Sequence, residues 1–405
     1  MSRTPKKSIA SPAPDVSAPD APTVDVVGGG LAGLTAALRL ASCGFKVTLH
    51  EATGALGGNL SSECVNGVWH DVYPHMFCDW YSNFWTMFEE DLDLRREEHF
   101  EPRMGVKLLN AGATKFIELE NATTFKALMA NMNSGLASWP DLFLFGFSML
   151  DLAATPFDRS RSDQLEKLDV NGFIYSRGYS TERVAQLQNY ILMLIWSIQS
   201  DLTAASSYQD FIKHTIAYPK PTPFAWLLKG SLEEKIIAPI KQKLDGLGCE
   251  IRLDHEAVKI ELNGDKPTVT FRDTSRIAPA PGAAEPRSRD VSAPDYLVIA
   301  TPAKPLSKLA LSGREGRRIV DRLPRLAELR RLRGEAIPVL DLYFTKKLPD
   351  IPREQFALGG TDSDMTALDL SQLWTGDARM ANQTVLALAA SNGCALPALE
   401  DAELG

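Results

Sequence analysis

The sequence has no C-x-x-C pair, and its five cysteines, Cys43, Cys64, Cys78, Cys249 and Cys394, are scattered and odd in number. That pattern excludes a zinc ribbon and a disulfide framework, so no metal site is expected and a reducing cytoplasm is the expected setting. No apolar run reaches the ~18 residues that a spanning helix needs. Positive charge is short as well: 43 Lys and Arg stand against 51 Asp and Glu, a net charge of −8. A chain so acidic is not built around a phosphate backbone, and no nucleic-acid partner is expected. The first 22 residues carry Arg3, Lys6 and Lys7 but no apolar segment behind them, which excludes a secretory signal. Asp15 and Asp20 argue against an organelle transit peptide. Residues 1–22 therefore read as a disordered tail.

What is present is a globular composition, 44% hydrophobic and 23% charged over 405 residues. At roughly 100–200 residues per domain, that length admits two to three domains. Thr23 to Val27 reads as a Val-rich strand and Leu31 to Ser42 as a helix with Leu34, Leu38 and Ala41 on one face, with Gly44 at its C-terminal cap. Val47 to Glu51 reads as the next strand. Strand, tight turn, helix and strand in this order open a parallel, doubly wound sheet.

Between the first strand and the helix, Gly28-Gly29-Gly30-Leu31-Ala32-Gly33 satisfies G-x-G-x-x-G in the context that gives the motif meaning. Gly28 permits the tight turn, Gly30 lets the backbone approach a pyrophosphate at the helix N-terminus, and Gly33 lets helix and strand pack closely. Glu51, followed by Ala52, is placed to accept hydrogen bonds from a ribose hydroxyl. Gly54, Gly57 and Gly58 make a second glycine turn just beyond it. A nicotinamide dehydrogenase has no use for backbone exposed there, whereas a larger, tightly held dinucleotide does, so FAD is expected and not NAD.

Further along, Ser231 can cap a helix from Leu232 to about Leu244. Glu250 to Leu253, Ala257 to Leu262 and Thr268 to Arg272 read as strands, with a hairpin turn at Asn263-Gly264-Asp265 and a loop from Ser275 to Pro294 before a strand at Tyr296 to Ala300. Arg314 to Arg333 reads as one solvated basic helix, and Pro338 to Phe344 and Val385 to Ala390 as strands. This organisation places a dinucleotide domain at 23–105 and 226–310, interleaved with a substrate domain at 106–225 and 311–405.

Val26 to Asn59 resembles the superfamily of flavin-containing amine oxidases and phytoene desaturases, in which strand, G-x-G-x-x-G-L, alanine-rich helix, Gly, Val, Glu and G-G follow in this order. Asn59 stands where that family commonly carries Arg or Lys. Further matches are Asn66 to Phe77, which contains His75, then Ala257-Val258, Val298 to Pro302, and Ile337 to Phe344, so the likeness spans about Val24 to Leu388. The resemblance implies an α/β fold, a Rossmann-like FAD-binding domain of parallel sheet and antiparallel meander interleaved with an α+β substrate domain. It implies that Val258 offers backbone hydrogen bonds to adenine and that Ala300, Thr301, Pro302 and His75 lie near the cofactor. The late Gly-Asp segment of the family is expected beyond residue 405, with Gly376-Asp377 a decoy. The implied activity is dehydrogenation of an apolar, isoprenoid or carotenoid-type substrate, with oxygen or quinone as electron acceptor. An amine oxidase, a flavin-dependent isomerase and a cofactor-binding fragment without turnover stay open as alternatives, and no catalytic base is assigned.

Eight of the twenty residues from Trp69 to Phe88 are aromatic, against 8% of the whole chain, so this segment is either packed core or the wall of an apolar pocket. Trp139 to Leu150 is too short to span a bilayer but suited to dip into one face, giving peripheral membrane contact, or else to pack as a buried helix. Tyr190 to Ile198 is a second apolar stretch, and His214 and His255 read as surface or structural residues.

Overall fold

In the computed structural model the described residues are 21–73, 75–120, 122, 124–156, 164–196, 198–216, 223–263, 266–275, 289–311, 313–332, 337–360, 364–377 and 380–390. The expected tail at 1–22 and the turn at 264–265 fall almost wholly outside them. The chain divides into two compact units, 1–72 with 231–334 and 73–230 with 335–405.

The first unit is built on a four-stranded parallel sheet: strand Glu250–Arg252, β2 (Lys46–His50), β1 (Thr23–Val27) and strand Tyr296–Ile299, in that spatial order. Val24, Val26, Val47 and Leu49 are buried, as in a parallel sheet covered on both faces. Helix α1 (Leu31–Ser42) follows β1 and buries Leu34, Leu38 and Ala41, and Gly44 ends its terminal turn at φ +83°. The helix expected after Ser231 is capped reciprocally: Glu234 N–H donates to Ser231 Oγ at 3.2 Å, and Ser231 Oγ donates to Glu234 Oε2 at 3.0 Å. It opens with a π-helical turn over Glu233–Ile237, because Pro239 has no N–H to give the carbonyl four residues back.

An antiparallel meander joins His255–Asn263, Lys266–Asp273 and Arg289–Ser292. The last of these strands lies inside the stretch read as a loop, and its Arg-Asp-Val-Ser sequence has a single apolar residue to announce it. Val27, Ile260, Val269, Phe271 and Ile319 form one core beneath it. The single basic helix expected at 314–333 is two elements, α-helix Gly313–Arg322 and a 3-10 segment Pro324–Arg331. Pro324 disfavours helical backbone at Leu323 and breaks the run.

The second unit carries a six-stranded sheet in the order Val339–Phe344, Thr384–Ala390, Met365–Asp369, Phe356–Gly359, Gly105–Asn110, Ile117–Glu120. Only the Phe356–Gly359 and Gly105–Asn110 pair is parallel. Helices Trp139–Ala154, Val170–Tyr175, Glu182–Trp196 and Ala205–Ile216 pack around Tyr208, Phe173 and Leu192. Gln188 takes a hydrogen bond from Tyr208 Oη and gives one to Ser148 Oγ, so the polar groups of this helical core are mutually satisfied.

The crossings between units fall at 72–73, 230–231 and 334–335, and not at 105–106, 225–226 and 310–311. Strands Met76–Phe77 and Phe100–Arg103 both pair with Ala225–Leu228, which carries 73–105 and 226–230 into the second unit. Ile319 packs beneath the meander and keeps helix Gly313–Arg322 in the first. No described helix is long and apolar enough to cross a membrane.

Candidate dinucleotide site

At the end of β1 the chain turns at Gly28, whose φ is +110° and where a Cβ would stand 2.6 Å from Ala300 O. Only glycine fits both conditions. Gly28 N–H donates to His50 O at 2.8 Å, which fixes the turn to the end of β2. A Cβ at Gly33 would come within 1.8 Å of Gly28 O, so this glycine sets how closely α1 lies against the turn. Gly30 is the N-cap of α1 and no side chain caps its first turn. Leu31 is half-buried and Ala32 exposed at that open end.

The second glycine turn meets the first directly. Gly57, at φ +111°, donates to Gly29 O at 2.8 Å, and Gly30 bridges to Gly57 in parallel fashion. A Cβ at Gly58 would lie 3.2 Å from Gly30 Cα. The two turns thus form one surface of bare backbone, with Asn59 exposed beside it.

Glu51 holds this surface together. Its Oε2 accepts from Gly29 N–H at 2.7 Å, and its Oε1 accepts from Thr53 N–H and Thr53 Oγ1 at 2.9 Å each. Three of about four lone-pair positions on the carboxylate are therefore taken within the chain. Ala52 is exposed, and its carbonyl accepts from Thr274 Oγ1 at 2.6 Å.

Four further expected residues lie in the same unit. Ala300 N–H donates to Val27 O at 2.8 Å, which brings the Ala300-Thr301-Pro302 turn against the end of β1, and Pro302 caps helix Ala303–Ala310. Thr301 Oγ1 is buried and has no hydrogen-bond partner. Val258 sits at a break of register between Ala257 and Lys259, so it has no partner residue in the ladder.

His75 belongs to the second unit, where its Nδ1 donates to Tyr73 O at 2.6 Å. That bond leaves Nε2 as the acceptor of the neutral ring, and burial holds the imidazole below its ordinary pKa. Half of the eight aromatics in the segment are core: Phe77, Phe84, Trp85 and Phe88 are buried and pack around Phe100, with Trp85 and Phe100 centroids 5.1 Å apart. The stretch at 190–198 lies largely in helix Glu182–Trp196, whose Leu192 is core.

Of one further group the sequence announces only His255, as a surface or structural residue. His50 is 1% exposed, His255 meets it Nδ1 to Nδ1 at 2.9 Å, and Asp25 Oδ1 lies 3.5 Å from His50 Nε2. The signal is faint, a His closing a short strand whose inward residues are Val47 and Leu49.

The model of flavin containing amine oxidoreductases matches residues 31–391. The chain belongs to that family. Among its relatives are the 15-cis-phytoene desaturase of Arabidopsis thaliana, 24% identical over 263 residues, and that of Synechococcus elongatus, 22% identical over 346. The first match covers 61% of this chain and 44% of the relative, the second 82% and 68%. The chain thus spans less than half of the plant relative. A solved putrescine oxidase bound to putrescine shares the fold, with a TM-score of 0.61, 14% identity, and coverage of 92% of this chain and 76% of the other.

FAD is the cofactor of this flavoprotein, and the cradle fits it. An uncapped helix N-terminus suits a pyrophosphate, two glycine turns present bare backbone, and the Thr301 hydroxyl is buried with no partner among the described residues.

Proposed function

We propose that the chain acts as an FAD-dependent oxidoreductase that dehydrogenates an apolar substrate of isoprenoid or carotenoid type. The observation that carries this reading is the paired glycine cradle, in a chain whose relatives include phytoene desaturases. When bound, the flavin would supply hydride-accepting redox chemistry, the proton of the neighbouring carbon being lost as the double bond forms. The α1 N-terminus and the Gly28–Gly30 and Gly57–Gly58 backbone hold the pyrophosphate. The remaining lone pair of Glu51 serves a ribose hydroxyl, and Val258 serves adenine through its backbone. Asn59 offers a neutral donor in place of a cation, so the phosphate charge is met by backbone dipoles.

An apolar substrate is supported by the phytoene desaturases among the relatives. Peripheral attachment to a membrane face is supported by helix Trp139–Ala154, which exposes Trp139, Phe143, Phe147 and Leu150 by 48–69%. On this reading the protein works at the cytoplasmic side of a bilayer, where such substrates reside.

The test is anaerobic reduction of the reconstituted protein by a graded set of polyprenyl hydrocarbons and a set of primary and secondary amines. Each buried methylene contributes ~0.8 kcal/mol, so affinity should rise about fourfold per methylene for as long as added methylenes are buried. Bleaching by amines with no response to any isoprenoid would overturn the assignment in favour of amine oxidation.

A further inference from the structure

Beneath the dinucleotide cradle lies a buried chain of titratable groups. Asp25 on β1 is 4% exposed and His50 on β2 is 1% exposed. His50 Nε2 and Asp25 Oδ2 are buried without a hydrogen-bond partner among the described residues. His50 Nδ1 lies 2.9 Å from His255 Nδ1, and the ring of Phe271 stacks on both imidazoles, with centroids 4.1 and 4.4 Å away. His255 Nε2 faces Asp290 Oδ2 at 3.7 Å, and Arg252 Nη1 donates to the same oxygen at 2.8 Å. Both histidines also bind the cradle through backbone: His50 O accepts from Gly28 N–H, and His255 N–H donates to Glu51 O, each at 2.8 Å.

We propose that His50 and His255 share one proton between their Nδ1 atoms and so position the Gly28 and Glu51 backbone for FAD, a clamp that opens when both rings are charged. This rests on FAD being held by the cradle. An Nδ1 to Nδ1 contact at 2.9 Å needs one N–H and one bare nitrogen. Asp25 favours the proton on His50 Nε2, which leaves His50 Nδ1 as acceptor and His255 Nδ1 as donor. One extra proton is tolerated, on His255 Nε2 facing Asp290. A second sets N–H against N–H and forces the rings apart.

The charged groups around the pair are Asp25 from β1, Arg252 from strand Glu250–Arg252, Asp273 from Lys266–Asp273 and Asp290 from Arg289–Ser292. The Glu51 carboxylate is turned away, toward Gly29 and Thr53. Burial first, and then His50, hold His255 below its ordinary value of 6.5, so opening belongs to more acid pH.

The experiment is FAD titration of the apoprotein by quenching of flavin fluorescence from pH 7.5 to 4.5, with circular dichroism to confirm folding. Wild-type affinity should fall at least tenfold, with its midpoint below about 6.5. His255→Asn keeps an amide where Nδ1 stood but does not titrate. It should bind within about threefold of wild type at pH 7.5 and lose most of the acid fall. His255→Phe keeps the stack without the hydrogen bond and should bind about tenfold more weakly at pH 7.5. An unchanged acid fall in His255→Asn, a flat wild-type profile, or wild-type affinity in His255→Phe overturns the proposal. Failure of FAD to bind the wild type at any pH overturns instead the cofactor assignment beneath it.

Discussion

Glu51→Gln separates the structural work of the carboxylate from its service to a ligand. The amide has the size of the acid but replaces one acceptor oxygen by a donor. If the amide oxygen stays toward Gly29 N–H, now 2.7 Å from Oε2, the nitrogen faces Thr53 N–H, which loses the acceptor it had at 2.9 Å. Flipped, the amide abandons Gly29 instead. In either orientation one backbone donor is left facing another. An unsatisfied donor of this kind costs about 1–3 kcal/mol. The same turn carries the cofactor, so FAD affinity should fall roughly five- to 150-fold, with a lower urea midpoint.

Thr53→Ala is the control, since it removes the hydroxyl bond to Oε1 but keeps the backbone one. The hydroxyl has one proton, shared between Oε1 and Ala55 O at 2.9 and 3.0 Å, and its loss is worth about 0.5–1.5 kcal/mol, so its effect should be the smaller. The assays are FAD titration of the apoprotein and urea unfolding with and without FAD. Wild-type affinity and stability in Glu51→Gln, or a larger effect from Thr53→Ala, would refute the reasoning.

Thr301→Val should leave the apoprotein as stable or up to about 1 kcal/mol more stable, because the buried hydroxyl has no partner to lose. The same change should weaken FAD binding, and an equal effect on both measurements would show the hydroxyl to be structural only. Phe143→Ser with Phe147→Ser should reduce co-sedimentation with neutral liposomes while leaving FAD binding intact, since both rings stand 48% or more exposed on helix Trp139–Ala154. The folded chain resists protonating His75, whose pKa burial lowers from 6.5, so its share of stability is full above that value and lost as pH falls through the lower folded one. Urea midpoints at pH 7.5 and 5 should therefore converge in His75→Asn, and an unchanged difference between them would assign the acid loss to other groups.

The parts of the fold legible in the sequence are those fixed by short-range rules. β1, α1 and the two glycine turns follow from a Val-rich strand, an apolar stripe and backbone positions that only glycine can fill, as the 2.6 Å approach of a Gly28 Cβ to Ala300 O makes plain. The Ser231 cap was equally local. Pairing across long separations was not legible. Gly105–Asn110 finds its parallel partner at Phe356–Gly359, and no local pattern announces a neighbour so distant in the chain. Strand Arg289–Ser292 was hidden for a related reason, since an edge strand has one ladder neighbour and needs little apolar alternation. The aromatic run from Trp69 to Phe88 misled in part because core and pocket draw on the same residues, and only packing around Phe100 tells them apart.

Within the site, type was legible and arrangement was not. Glu51 was chosen as an acceptor for ribose, and a carboxylate at the end of β2 could have pointed wholly outward. It turns back because the N–H groups of Gly29 and Thr53 stand free of the strand ladder, and the nearest charged acceptor takes them. The ligand-binding surface is therefore pre-formed by the residue that also meets the ligand. That double use explains the polar cluster below it. His50 and Asp25 sit in a sheet whose neighbours are Val and Leu, a costly place for ionisable groups. An apolar pair would fill the space, yet it would leave nothing to join the end of β2 to the strand beginning at His255 through side chains. The histidine pair makes that join at 2.9 Å, directly behind the turn that Glu51 organises.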